Sequence, residues 1–134
     1  DVHLEGRKLA GILIEARPQD GWAVLGIGLN LTIAQSDFPE ELQERATSLF
    51  PEPAASTREA SASLDEALTK WVDAPEQQIL TEWRRRDALL GREVTWENGA
   101  GVAEGIDERG YLLVRLAAGD RVALGAGDVH LSSF

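Results

Sequence analysis

Apolar positions in the first quarter of the chain fall into two nearly unbroken runs. The first, KLAGILIEA, extends from Lys8 to Ala16 and is preceded by Glu5-Gly6. The second, WAVLGIGLNLTI, extends from Trp22 to Ile33. Pro18-Gln19-Asp20-Gly21 lies between them, and turn-forming residues between two β-type runs predict an antiparallel hairpin. Because neither run alternates with polar residues, both strands are expected to be covered on both faces.

The pattern then breaks. From Ala34 to Pro53 the chain is polar, and Pro39, Pro51 and Pro53 limit any helix there to short turns. STREASASLDEALTKWVDA follows and predicts a helix capped by Ser56 or Thr57, with Glu59 placed for a capping box if Ser56 is the cap. Leu64, Ala67, Leu68, Trp71 and Val72 recur at helical spacing and form one apolar stripe. Pro75 opens a second helix through EQQILTEWRRRDALL, with Ile79, Leu80 and Trp83 on its buried side and Gly91 ending it.

After Gly91 the period changes to short strands. REVTWE, GVAEGID, YLLVRLA, DRVALG and DVHLSS are separated by Asn98-Gly99, Asp107-Glu108-Arg109-Gly110, Ala118-Gly119 and Gly125-Ala126-Gly127. Asn-Gly is a strong hairpin signal because both residues tolerate positive φ. Five strands in so few residues predict a small SH3-like barrel. The fold class is therefore α+β: a mixed β-sheet with flanking helices over residues 1–90, then the barrel over residues 91–134.

Composition narrows the function. The 134 residues contain no Cys, which removes disulfides, thiolate nucleophiles and cysteine zinc sites. The net charge is −10, and it is spread along the chain: residues 91–134 hold four Arg against seven Asp and Glu. Such a chain lacks the basic face that a nucleic-acid backbone requires. No apolar run reaches the ~20 residues of a membrane span and no signal peptide opens the chain, so a cytoplasmic location is expected. The chain opens on Asp1 and contains no Met, which predicts a portion of a longer protein.

Few residues suggest chemistry on their own. Gly26-Ile27-Gly28-Leu29-Asn30 lacks the third glycine of a dinucleotide fingerprint, because position 31 is Leu. Two glycines in a strand more simply allow a backbone or ligand to approach closely. Asn30, at the strand end, is either a capping residue or an amide facing a cleft. Lys8 is either a solvated charge where its strand begins or a cation set against a carboxylate or phosphate. Gly11, three residues on, would allow close approach along that strand. Arg84-Arg85-Arg86 is first explained by the C-terminal helix dipole. His3 and His130 are isolated, and no metal-ligand spacing or nucleophile–base pair is visible.

Taken together, GRKLAGILIE, VLGIGLNL and LTEWRRRDALLGREVTW leading into GVAEGIDERGYLLVRL and GDVHLSS resemble the biotin–protein ligase family along effectively the whole chain. The resemblance implies the C-terminal part of a catalytic core of class II synthetase type, followed by the family's SH3-like domain. It implies ATP-dependent formation of biotinyl-AMP, with Mg2+ assisting, and transfer of biotin to a lysine of biotin carboxyl carrier protein. Lys8 matches the lysine that contacts the biotin carboxylate and the phosphate. Gly11 and Ile12 match the biotin pocket lining, and Asn30 matches an asparagine facing the nucleotide phosphates. Asp1 matches the last residue of a Lys-Trp-Pro-Asn-Asp motif associated with nucleotide or magnesium. The family's Gly/Arg-rich adenylate loop has no counterpart in this sequence, so the chain alone is expected to be inactive. A homodimer is left open.

Two other readings compete. A non-catalytic module could use an SH3-like barrel only to hold a partner protein. A lipoate-type ligase would share the core fold, but the barrel after Gly91 favours biotin.

Overall fold

The computed structural model describes residues 1–50, 56–125, 127 and 129–131. Pro51 and Pro53 of the expected loop, Ala126 of the last turn, and Asp128, Ser132 and Ser133 of the last expected strand lie outside the described residues. The chain divides into two compact units, Asp1–Ala67 and Leu68–Phe134.

In the first unit, β1 (Val2–Leu4), β2 (Arg7–Arg17) and β3 (Trp22–Leu29) form an antiparallel sheet in that order. Sequence pattern alone missed β1, whose three residues are too few to show alternation. Leu4 pairs with Arg7, leaving Glu5-Gly6 as a two-residue loop with φ of 51° and 81°. Positive φ at both positions matches the twist of the flanking strands. β2 and β3 pair in unbroken register from Ala10↔Leu29 to Arg17↔Trp22. Their turn ends on Gly21, at φ 70°, and the Arg17 guanidinium lies 5.6 Å from the Trp22 ring centre.

The expectation that this hairpin is covered on both faces does not hold among the described residues. Leu13 and Ile14 are 66% and 64% exposed, and Val24 is 59% exposed. Successive strand residues point to opposite faces, so neither face of the hairpin's outer half is covered. Burial is confined to the other end, where Leu9 and Ala10 are enclosed. The continuous hydrophobicity identified strands correctly, but the described residues supply no layer over them.

After β3, tight turns at Gln35–Asp37 and Glu40–Leu42 enclose Phe38 and lead into a buried stretch, Ala46, Thr47 and Ser48. This stretch lies beside β2 through a Lys8↔Ala46 bridge, the one parallel pairing among the described residues. Helix α1 (Thr57–Val72) spans the division between the units. Ser56 Oγ accepts the Glu59 N–H at 3.4 Å, so Ser56 is the cap. Leu64, Leu68 and Trp71 are half-buried, whereas Ala67 and Val72 of the expected stripe are exposed.

In the second unit, α2 (Glu76–Arg84) follows Pro75, which caps it from outside the first turn. The helix ends well before Gly91. Asp87 Oδ1 accepts the Leu89 N–H at 2.9 Å, a local bond that competes with helix continuation. Gly91, at φ 77°, then turns the chain into β4 (Glu93–Trp96). β5 (Gly99–Ile106), β6 (Leu112–Arg115), β7 (Arg121–Leu124) and β8 (Val129–Leu131) complete an antiparallel sheet of order β7-β6-β5-β4-β8. All five expected strands are present. β7 and β8 stand at opposite ends of this order, so the sheet is open among the described residues rather than a closed barrel. Strands of four and three residues offer little ladder with which to close it.

Val94, Ala103, Leu112 and Val114 form this unit's core, with Leu89, Trp96, Val122, Leu124, Val129 and Leu131 packed around them. β5 bends at a bulge between Ala103 and Ile106, where Gly105 takes φ 98°. The extra residue strengthens twist and lets a short strand curve over the core.

Candidate functional site

Lys8 is held by its backbone. Its N–H donates to Arg45 C=O at 2.7 Å, and its C=O accepts the Thr47 N–H at 2.9 Å. The side chain then reaches Asp1, with Nζ 2.9 Å from Oδ2, both side chains about half exposed (50% and 47%). This pair passes over Gly11: a Cβ there would lie 3.6 Å from Asp1 Oδ1 and 3.8 Å from Lys8 Nζ. Glycine therefore leaves the strand surface beneath the ammonium and carboxylate open. Of the residues the sequence singled out, Lys8, Asp1 and Gly11 form one cluster.

Asn30 joins the cluster through a shared support. Its N–H donates to Leu9 C=O at 3.0 Å, and its C=O accepts the Leu49 N–H at 2.9 Å. Its side-chain Nδ2 donates to Thr47 C=O at 3.2 Å. Residues 45–49 thus hold Lys8 at one end and Asn30 at the other. Ile12 stands apart. It pairs with Ile27, is 46% exposed, and alternation sets it on the face opposite Gly11.

Sequence reasoning passed over this support entirely. Thr47 and Ser48 are buried polar residues, and Ser48 Oγ accepts the Ile33 N–H at 2.8 Å. Gln35 secures the same stretch, with Nε2 donating to the carbonyls of Ala46 and Gln43, and Oε1 accepting from Arg7. The available signal was Ala46-Thr47-Ser48, small residues free of Gly and Pro inside a region otherwise rich in turn formers.

The electrostatics are simple. A half-exposed ion pair contributes about 0–1 kcal/mol, so the Lys8–Asp1 contact is readily exchanged for a stronger anion. Magnesium is held in such sites by one or two carboxylates together with substrate phosphates. Among the described residues no group of three His, Asp or Glu could hold a metal, and the Asp1 carboxylate is engaged by Lys8. Arg84–Arg86 serve structure: Arg84 donates to Ile106 C=O at 3.2 Å, while Arg85 and Arg86 pair with Glu82. The Arg86 hydrogen bond, aided by the charges of Arg85 and Lys70, holds the Glu82 carboxyl below its usual range.

Two antiparallel sheets with helices make this an α+β chain, and its fold is similar to that of solved biotin protein ligases. The apo biotin protein ligase of Aquifex aeolicus superposes with a TM-score of 0.73 over 98% of this chain and 62% of that one, at 24% identity. The same ligase in complex with biotin and ATP gives 0.74, covering 60% of that chain.

The sequence comparisons are local but specific. Residues 89–132 match the family model of the biotin protein ligase C terminal domain. The bifunctional ligase/repressor BirA of Bacillus subtilis, like that of Bacillus spizizenii, is 38% identical over 52 residues, 37% of this chain and 16% of the relative. The family resemblance read from the sequence is therefore borne out: the fold is similar to that of biotin protein ligases, and residues 89–132 match the model of their C-terminal domain. The chain spans only part of the length of these relatives. Among the described residues no helix is long and apolar enough to cross a membrane.

Proposed function

We propose that the chain forms the C-terminal part of a biotin–protein ligase. The complete protein joins biotin to ATP as biotinyl-AMP, then passes biotin to a lysine of biotin carboxyl carrier protein. The observation that carries this reading is the Lys8–Asp1 pair over Gly11, with Asn30 tied to the same backbone stretch. That geometry offers an ammonium whose present partner is a carboxylate, above a glycine with no side chain to block a ligand.

In the first step a biotin carboxylate oxygen attacks the α-phosphorus of ATP and pyrophosphate leaves. Negative charge grows on the α-phosphoryl oxygens, and a fixed ammonium stabilises it more in the transition state than in the ground state. Lys8 supplies that charge once substrate displaces Asp1. Gly11 leaves room for the ligand, and Asn30 keeps the strand end in place beside the phosphates. In the second step the carrier lysine attacks the mixed anhydride and AMP departs. Residues 89–132, with their SH3-like pattern, complete the ligase rather than carry its chemistry.

The test is adenylate formation in the complete protein, followed by pyrophosphate release. Lys8→Ala should raise the barrier by about 2–4 kcal/mol, by analogy with lost oxyanion donors, which is roughly 30- to 1,000-fold in rate. A rate within about threefold of the parent would sink the assignment. Labelling with lipoate in place of biotin would favour the lipoate-type alternative.

A further inference from the structure

The second unit carries a groove of its own. It has a volume of about 450 Å³ and crosses the outer face of β5, β6 and β7, with Leu90, Val102 and Leu113 beside Glu104, Arg115 and Arg121. Arg115 and Arg121 are direct cross-strand partners in the β6–β7 ladder. Like charges directly opposite destabilise a sheet. Glu104 offsets that repulsion: its Oε1 accepts Arg115 Nε at 2.8 Å and its Oε2 accepts Arg121 Nε at 2.6 Å.

One carboxylate cannot neutralise two guanidiniums. The groove therefore keeps a net positive charge within a chain of net charge −10. Each guanidinium spends only its Nε edge on Glu104, and among the described residues neither makes a further hydrogen bond or ion pair. A guanidinium has five donors in a planar fork suited to bidentate carboxylate binding. The arginine side chains are 48% and 69% exposed, and Leu90 beside them is 59% exposed. Arginine is among the residues enriched at binding hot spots.

We propose that this groove docks an extended acidic peptide segment of a partner protein. A carboxylate of the segment takes the open edges of Arg115 and Arg121, and a neighbouring aliphatic side chain packs on Leu90 and Leu113. Charge complementarity selects the partner. A basic segment would face two unpaired guanidinium edges, and an apolar segment would leave them desolvated without a partner. Glu104 acts as an internal competitor that keeps the arginines extended until the segment arrives. This reading does not depend on ligase activity.

The test is a two-dimensional amide spectrum of the 134-residue chain titrated with the pentapeptide Glu-Asp-Leu-Asp-Glu. The expected result is shifts at Gly91, Val102 and Leu113 with Kd below about 1 mM, weakening as salt rises. The double variant Arg115→Gln/Arg121→Gln should weaken binding at least about fivefold, and Glu104→Gln should tighten it at least about twofold. If the double variant loses its folded spectrum, Glu104→Gln decides alone: tighter binding supports the proposal and unchanged or weaker binding overturns it. No shifts at about 5 mM peptide, equal binding of Lys-Lys-Leu-Lys-Lys, or full displacement by equimolar inorganic phosphate would each overturn it too.

Discussion

Two residues show how single side chains set local behaviour. Glu104 has its carboxyl held below the usual range, first by the Arg115 hydrogen bond, which outweighs the opposing effect of desolvation, and further by the hydrogen bond and charge of Arg121. A carboxyl with a depressed folded-state value stabilises the fold fully above its ordinary value and loses that contribution as pH falls through the lowered one. Glu104→Gln should accordingly flatten the acid limb of the stability curve of the second unit, as chemical denaturation across pH 2–6 would reveal; an acid limb unchanged by the substitution would show that the arginines do not couple to it. Glu5 makes the opposite point, because it is a side-chain-bearing residue at φ 51° in a loop that suits Asn or Gly. Glu5→Asn should stabilise the chain by about 0.5–1 kcal/mol, read as a higher denaturation midpoint.

At the level of elements, what the sequence made legible depended on how each signal arises. Hairpin β2–β3, both helices and all five later strands could be read because hydrophobic period and turn residues are local properties. The C-terminal end of α2 could not, because the helical pattern runs on toward Gly91, whereas the helix stops at Arg84 ahead of the local Asp87–Leu89 bond. The support at residues 45–49 was hidden for a related reason: it is defined by backbone bonds to Lys8 and Asn30, distant in sequence, and carries no period of its own. Of the expected site, Lys8, Asp1 and Gly11 do meet, since strand spacing and a two-residue loop return Asp1 to β2. Ile12 does not, because alternation turns it away.

Gly101 shows a constraint that only packing reveals. A Cβ there would lie 2.5 Å from Arg115 C=O and 2.7 Å from Val114 Cγ1, so β5 and β6 approach as closely as glycine permits. Overpacking against backbone is relieved only by moving a strand. Gly101→Ala should destabilise the second unit by about 2–3 kcal/mol, measured by chemical denaturation. A loss under about 0.5 kcal/mol would mean that the ladder can open there at little expense.

At the scale of the whole chain, charge and coverage set the terms. Within an overall −10, Lys8 and the Arg115–Arg121 pair are each answered by a carboxylate of the chain itself, as Arg85 and Arg86 are by Glu82. The Lys8 cluster lies on an open, half-exposed surface, whereas a small-molecule site normally encloses most of its ligand. These 134 residues alone should therefore neither bind biotin tightly nor form adenylate. Isothermal calorimetry checks this, and micromolar or better affinity would contradict it.

The stretch that clasps Lys8 at one end and Asn30 at the other has a further consequence for timing. Because both are fastened to residues 45–49, a thermal fluctuation that lifts that whole stretch from β2 loosens the backbone anchors of the cation and the amide together.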